Sequence, residues 1–284
     1  VTEHAGGALR WVETHLRSAD GLRLFRRVWQ PENPARALLL VHGYAEHSGR
    51  YEAMALWFAA RGCVVHAYDQ RGHGRSEGLR CHVERFEEFL DDLALVLDAV
   101  CSEHPELPVT LVGHSMGGLV TLAFLAARKP RIASAVTSGA ALSLGAVSPL
   151  RAALARAARR LLPRLAIGSG LDPEGLSRDP EVVQRYLADP MVVRTMTTSL
   201  GAELLAAASR TASLAGEVEV PLLVLHGEED PLCAAEGSRA FHGGVRAPGA
   251  ALRIYPHLRH EIFNEPEREA VWQDVLRWLE EQSA

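Results

Sequence analysis

Gly113-His114-Ser115-Met116-Gly117 decides the fold of this chain, because a serine set between glycines as Gly-x-Ser-x-Gly has the form of a nucleophile elbow. The run before it, Val109-Thr110-Leu111-Val112, is short, apolar and β-branched, as a buried strand is. The run after it, residues 118–129, carries strong helix formers and an apolar face. A strand, a sharp turn and a helix in that order push the serine hydroxyl beyond the sheet, and glycines on either side let the backbone turn without a clash. The five-residue pattern alone arises by chance in plain turns. Placed between such a strand and such a helix, it predicts a catalytic serine.

Outward from the elbow, strands and helices alternate. Two alternating runs, 11–18 and 23–30, flank Ala19-Asp20-Gly21, a hairpin signal. Strand patterns follow at 37–42, 63–68, 133–138, 221–226 and 251–255, and helix patterns at 51–61, 85–103 and 269–280. Such alternation indicates an α/β protein, a mostly parallel sheet with helices on both faces. Residues 141–217 interrupt it without a strand pattern. There Leu150, Leu154 and Leu161 share one stripe while Arg151, Arg156, Arg159 and Arg160 point away, and further helical runs cover 179–187 and 191–214. This segment is expected to form a helical cap over the C-terminal edge of the sheet, where open α/β folds bind ligands. Residues 1–140 and 218–284 then form the core. A basic amphipathic helix can lie on an anionic membrane, although a solvated arginine face is the plainer reading.

Composition narrows the function. The 284 residues suffice for a full core, with 48% hydrophobic and 23% charged residues. A net charge of −5 offers no field for nucleic acid. Of 30 lysines and arginines only Lys129 is a lysine, so lysine-based chemistry is not expected. Cys63, Cys81, Cys101 and Cys233 are far apart with no Cys-x-x-Cys pair, and no His/Asp cluster has ligand spacing, so neither a metal nor a redox cofactor is expected. No stretch reaches transmembrane length and no signal pattern opens the chain, which makes the cytoplasm the expected compartment, with peripheral membrane contact through the insert.

A serine nucleophile needs a base, and the base an orienting carboxylate. In elbow-bearing α/β enzymes the acid and then the histidine follow the serine. Leu222-Leu223-Val224-Leu225-His226-Gly227 reads as a strand that delivers Glu228-Glu229-Asp230-Pro231 to its end. Asp230 is favoured over Glu228 and Glu229 because the proline after it fixes the turn. Of the two histidines in Pro256-His257-Leu258-Arg259-His260, His260 is favoured over His257, being deeper in the loop. The oxyanion formed on attack needs two backbone donors. The N–H of Met116 is one, and that of Tyr44 the other, with Gly43 permitting an unusual backbone shape.

Several blocks then carry a more specific likeness. His42-Gly43-Tyr44-Ala45-Glu46-His47-Ser48-Gly49-Arg50-Tyr51 resembles the HGxxEHSxRY signature of the monoacylglycerol lipase family. Asp69-Gln70-Arg71-Gly72-His73-Gly74-Arg75-Ser76-Glu77-Gly78 resembles its D-x-RGHGxSEG loop, and Gly113 to Gly118 its GHSMGG elbow. The resemblance implies an α/β-hydrolase fold and a serine hydrolase that splits monoacylglycerols into fatty acid and glycerol without a cofactor. It places Ser115, Asp230 and His260 as the triad and Tyr44 and Met116 as oxyanion donors. Glu46, Arg50 and His114 would hold the glycerol end, with Tyr186 facing the alcohol pocket; Glu46 and Arg50 could equally form a buried ion pair that shapes the oxyanion loop. Mammalian members carry a second histidine three residues after the catalytic one, where this chain has Phe263. The partner expected is a monoacylglycerol or similar lipid ester, with transient contact to lipid aggregates. The alternatives are a lysophospholipase or general carboxylesterase on the same triad, and, more remotely, a non-catalytic lipid-binding module.

Overall fold

The structure is a computed structural model that describes residues 2–6, 9–143 and 157–282. It opens with three antiparallel strands, β1 (Thr2–Gly6), β2 (Leu9–Arg17) and β3 (Arg23–Pro31). Between β2 and β3 the chain turns on Gly21 at φ +92°, and Ser18 Oγ accepts the N–H of Leu22 at 2.9 Å. The parallel part follows: β4 (Arg36–Val41), α1 (Glu52–Ala59), β5 (Cys63–Tyr68), α2 (Glu87–Glu103), β6 (Val109–His114), α3 (Met116–Arg128) and β7 (Ser134–Ser138). After the insert come β10 (Leu222–Gly227), β11 (Ala251–Tyr255) and the last helix, Arg268–Glu281. One nine-stranded sheet has the order β1-β2-β3-β5-β4-β6-β7-β10-β11. Every pairing from β5 to β11 is parallel. This is the α/β-hydrolase architecture.

Strands β5, β6, β7 and β10 are buried at every position, as parallel strands covered on both faces must be. The two-residue period sends alternate side chains to opposite layers. Leu38 and Leu40 of β4 pack with Met54 and Phe58 of α1 and with Trp272 and Val275 of the last helix. Leu39 and Val41 pack on the other face with α2 and α3 through Phe89, Leu93, Leu119 and Leu122. Phe263 is buried in the first of these layers. The α3 helix runs from the elbow to Lys129, whose left-handed backbone (φ 46°) ends it and whose exposed amine pairs with Glu217 and Glu219.

Three parts of the structure differ from expectation, the first being β1, which no pattern in the sequence signalled. Residues 141–217 contain strands after all: β8 (Ala166–Gly168) pairs antiparallel with β9 (Thr195–Thr197). The helix expected from residue 191 therefore begins later, as α5 (Thr198–Ala212), because the threonines of β9 pair with β8 and Thr197 Oγ1 then caps α5 by accepting the N–H of Leu200. The helix before it, α4 (Pro180–Ala188), starts where Asp179 accepts the N–H of Glu181 ahead of a proline at its first position. A further helix, α6 (Ala235–Gly244), lies between β10 and β11, and the last helix is accordingly α7. Of the arginine-flanked stripe, Leu150, Leu154, Arg151 and Arg156 lie outside the described residues. Leu161 is 80% exposed, and Arg159 turns toward Glu203 with 2.7 Å between charged atoms. Among the described residues no helix is long and apolar enough to cross a membrane.

Candidate active site

Ser115 sits between β6 and α3 with φ 54° and ψ −117°, a conformation L-residues seldom adopt. The neighbouring glycines are required by space: a Cβ on Gly113 would strike Thr121 and the Gly117 carbonyl, and one on Gly117 would strike the carbonyls of Val41 and His42. The elbow can therefore press against the end of β4. Ser115 Oγ lies 2.9 Å from His260 Nε2, and His260 Nδ1 lies 2.7 Å from Asp230 Oδ2. The other Asp230 oxygen, Oδ1, accepts the N–H groups of Leu232 (2.8 Å) and Cys233 (2.9 Å) in the turn that Pro231 helps form. Glu228 and Glu229 are exposed, and Glu229 pairs at the surface with His257. Of the competing acids and histidines, the structure thus brings Asp230 and His260 to the serine.

The electrostatics suit proton transfer. Burial opposes the charge of Asp230, yet His260 and the hydrogen-bond donors around it hold the carboxyl well below the usual carboxylate range. Burial likewise opposes a charged His260, but the Asp230 carboxylate outweighs it and leaves the imidazole above its ordinary value. His114, whose ring centroid is 4.8 Å from that of His260, is held down to about 4 by burial and by His260, so it stays neutral.

Tyr44 and Met116 lie beside Ser115 on the same cavity wall, where backbone donors for an oxyanion are needed. The reason for Gly43 differs from the expected one. Its φ is not positive; Ala45, at φ 64°, takes the left-handed shape. Gly43 is needed because a Cβ there would lie 2.9 Å from Glu46 Oε1 and 3.1 Å from Ser115 Cβ. The peptide between Gly43 and Tyr44 is held from behind. His42 Nε2 accepts the N–H of Gln70 (2.9 Å), which leaves Nδ1 to donate to the Gly43 carbonyl (2.7 Å).

Glu46 and Arg50 belong to one buried network. Glu46 Oε1 accepts from the Gly43 N–H (2.6 Å) and the Tyr51 hydroxyl (2.7 Å), and Oε2 accepts from Arg50 (2.7 Å). Arg50 also grips Glu261 with two bonds of 2.6 and 2.8 Å, and its guanidinium lies 5.0 Å from the centroid of the Tyr186 ring. Glu46, His114, Tyr186 and Glu261 line the cavity at Ser115, whereas Arg50 lines a separate depression with His47 and Asp189. Sequence reasoning missed Glu261, though its place directly after His260 was a usable signal. It also passed over His226, whose Nε2 lies 3.0 Å from Asp230 Oδ2.

The cavity holds about 620 Å³, within the range of small-molecule sites. Its lining is largely apolar and includes Leu165, Ile167, Leu171, Met196, Leu204 and Leu205, all between β7 and β10. One cavity thus holds both the reactive polar groups and apolar side chains that suit a hydrocarbon chain. Among the described residues, only His66, Glu103 and His104 are grouped closely enough to hold a metal; they lie outside the cavity, and Arg26 already occupies Glu103 at 2.6 Å.

Comparison with known proteins agrees with this geometry. The family model described as serine aminopeptidase, S33, matches residues 32–267. A monoacylglycerol lipase of Mycolicibacterium smegmatis is 39% identical over 91% of this chain and 93% of its own. The chain belongs to the monoacylglycerol lipase family. Another relative, the monoglyceride lipase of Homo sapiens, is 33% identical over 95% of this chain and 91% of its own. The crystal structure of Paleococcus ferrophilus monoacylglycerol lipase superposes with a TM-score of 0.83 at 32% identity, covering 91% of this chain and 99% of that one. The family resemblance read from residues 42–51, 69–78 and 113–118 thus extends over nearly the whole chain.

Proposed function

We propose that this protein is a carboxylic ester hydrolase that cleaves monoacylglycerols to fatty acid and glycerol. The continuous line from Ser115 Oγ through His260 to Asp230, opening into a cavity lined by both polar groups and apolar side chains, carries this reading. Ser115 attacks the ester carbonyl as His260 takes its proton, and Asp230 stabilises the imidazolium formed. The Tyr44 and Met116 N–H groups receive the oxyanion. His260 then protonates the departing glycerol oxygen, and water releases the fatty acid by the same steps in reverse roles. Glu46, His114 and Tyr186 meet the glycerol hydroxyls, and Arg50 acts through Glu46 and Glu261 by holding both carboxylates in place.

Residues 141–217 serve as a cap that supplies the apolar wall. Leu161, Leu162, Leu165, Ile167 and Leu171 are exposed large apolar residues on this segment, and three of them also line the cavity. An apolar rim continuous with an apolar cavity suits transient docking on lipid aggregates. The function is tested by giving the protein and Ser115→Ala a monoacylglycerol, a di- and a triacylglycerol and a lysophospholipid that share one acyl chain. Monoacylglycerol turnover well above the others, absent in the variant, is expected. Preference for the lysophospholipid would overturn the glycerol assignment, and turnover that survives in the variant would overturn the nucleophile.

A further inference from the structure

Asp230 Oδ2 receives two imidazoles. One is His260; the other is His226, at the end of β10, with its side chain and that of Asp230 wholly buried. The hydrogen positions on His226 follow from its partners. Its Nε2 faces Asp230 Oδ2 at 3.0 Å and the Cys233 carbonyl at 2.8 Å. A carbonyl and a carboxylate only accept, so Nε2 carries hydrogen. On a neutral ring Nδ1 then accepts from the hydroxyl of Ser238, 2.7 Å away on α6 and fully buried. Ser238, His226, Asp230, His260 and Ser115 form one chain of hydrogen bonds from α6 to the reacting oxygen.

We propose that His226, oriented by Ser238, is a positioning residue that fixes the Asp230 carboxylate and draws part of its charge away from His260. This rests on the serine-hydrolase reading of Ser115, Asp230 and His260. Physically, Oδ1 is tied by two backbone N–H groups, and Oδ2 without His226 would have His260 as its one imidazole donor. A carboxylate fastened at both oxygens cannot rotate as His260 swings between the attacking and leaving oxygens. The charge balance matters too. The groups that bear on His260 are Asp230, Glu261 and Glu46, which favour its charged form, and His114, whose ring packs beside it. A donor on Oδ2 tempers the strongest of these and keeps His260 nearer the value at which it serves as a base.

The test uses His226→Leu, His226→Gln and Ser238→Ala in the full chain, on a short-chain monoacylglycerol below its aggregation concentration. A glutamine amide can place a donor near the position of the imidazole Nε2; leucine cannot. His226→Leu is expected to lower kcat by about 10- to 100-fold, the scale of a small misplacement of catalytic groups, with KM little changed. The acidic limb of its kcat/KM profile should move to higher pH, since all the Oδ2 charge then acts on His260. His226→Gln should recover most of kcat and return the limb, and Ser238→Ala should fall between. If His226→Leu does not fold, Ser238→Ala decides the matter, with His226→Gln as the control that keeps a donor on Oδ2. Wild-type kcat and an unmoved limb in Ser238→Ala would overturn the proposal, as would equal kcat in the leucine and glutamine variants. Ser115→Ala in the same assay separates the two readings: turnover that survives it defeats the serine mechanism, while turnover lost there but normal in the His226 variants defeats only the positioning role.

Discussion

At Ser115 the polypeptide holds a conformation that costs on the order of 1–3 kcal/mol and is kept by the packing of α3 against the end of β4. Its partner His260 must be neutral to accept a proton, and Asp230 keeps its pKa above the ordinary imidazole value despite burial. Activity should therefore fall on the acid side of a limb lying above that ordinary value. Asp230→Asn removes the charge that raises it, so the limb should move to lower pH while kcat drops by about 10⁴-fold, the loss seen when a triad histidine loses its orienting carboxylate. A pH profile of kcat/KM for both proteins checks this. Arg50 makes a different prediction. Arg50→Met leaves Glu46 and Glu261 buried without their shared cation, which should cost about 3–5 kcal/mol at neutral pH. The Glu261 carboxyl is held below its usual range chiefly because Arg50 outweighs its burial, so this stabilisation is present above the unfolded carboxylate pKa and lost as pH falls. Denaturant unfolding should show the variant's deficit shrinking as pH falls through the ordinary carboxylate range toward about 2.

Among the elements, β10 does two jobs at its last two residues. His226 reaches Asp230, and Gly227 leaves room for the histidine loop, since a Cβ there would strike the carbonyls of Leu258 and Arg259. Gly227→Ala should displace that loop and lower kcat by about 10²-fold with a smaller change in KM, measurable on a soluble ester. Of the nine strands of the sheet all but β1 were legible in the sequence, the buried parallel ones because they are unbroken apolar runs, and Cys63–Tyr68 and Ala251–Tyr255 fall where the pattern puts them. Helix α6 was not. Its sequence AEGSRAFHGG has glycines and a single large apolar anchor, Phe241, and gains its place from packing. Strands β8 and β9 span three residues each, too short for a period to register. At the site, motif spacing reached Ser115, Asp230 and His260; the tie from Glu261 to Arg50 spans 211 positions and leaves no local pattern, and His226, four residues before Asp230, reads in the sequence as one more residue of a buried strand.

For the whole molecule, the exposed leucines near the cavity predict a dependence on the physical state of the substrate. Leu161 and Leu162 are 80% and 57% exposed and do not line the cavity. Their joint replacement by serine should reduce turnover of aggregated monoacylglycerol several-fold and leave turnover of dispersed short-chain substrate unchanged. Equal loss on both would show that these residues serve the cavity and not an interface. A practical property follows from the opposite end of α3. Lys129 carries the single side-chain amine of the protein, at the C-terminal end of a helix of 13 residues whose first turn adjoins Ser115. Such a helix rises about 20 Å. Apart from the chain's α-amine, an amine-reactive resin would thus attach at Lys129 alone, a helix length away from Ser115. Because hydrogen bonds from Glu219 and Glu217 raise the pKa of that amine, immobilisation should go best in a more alkaline buffer than a free lysine needs.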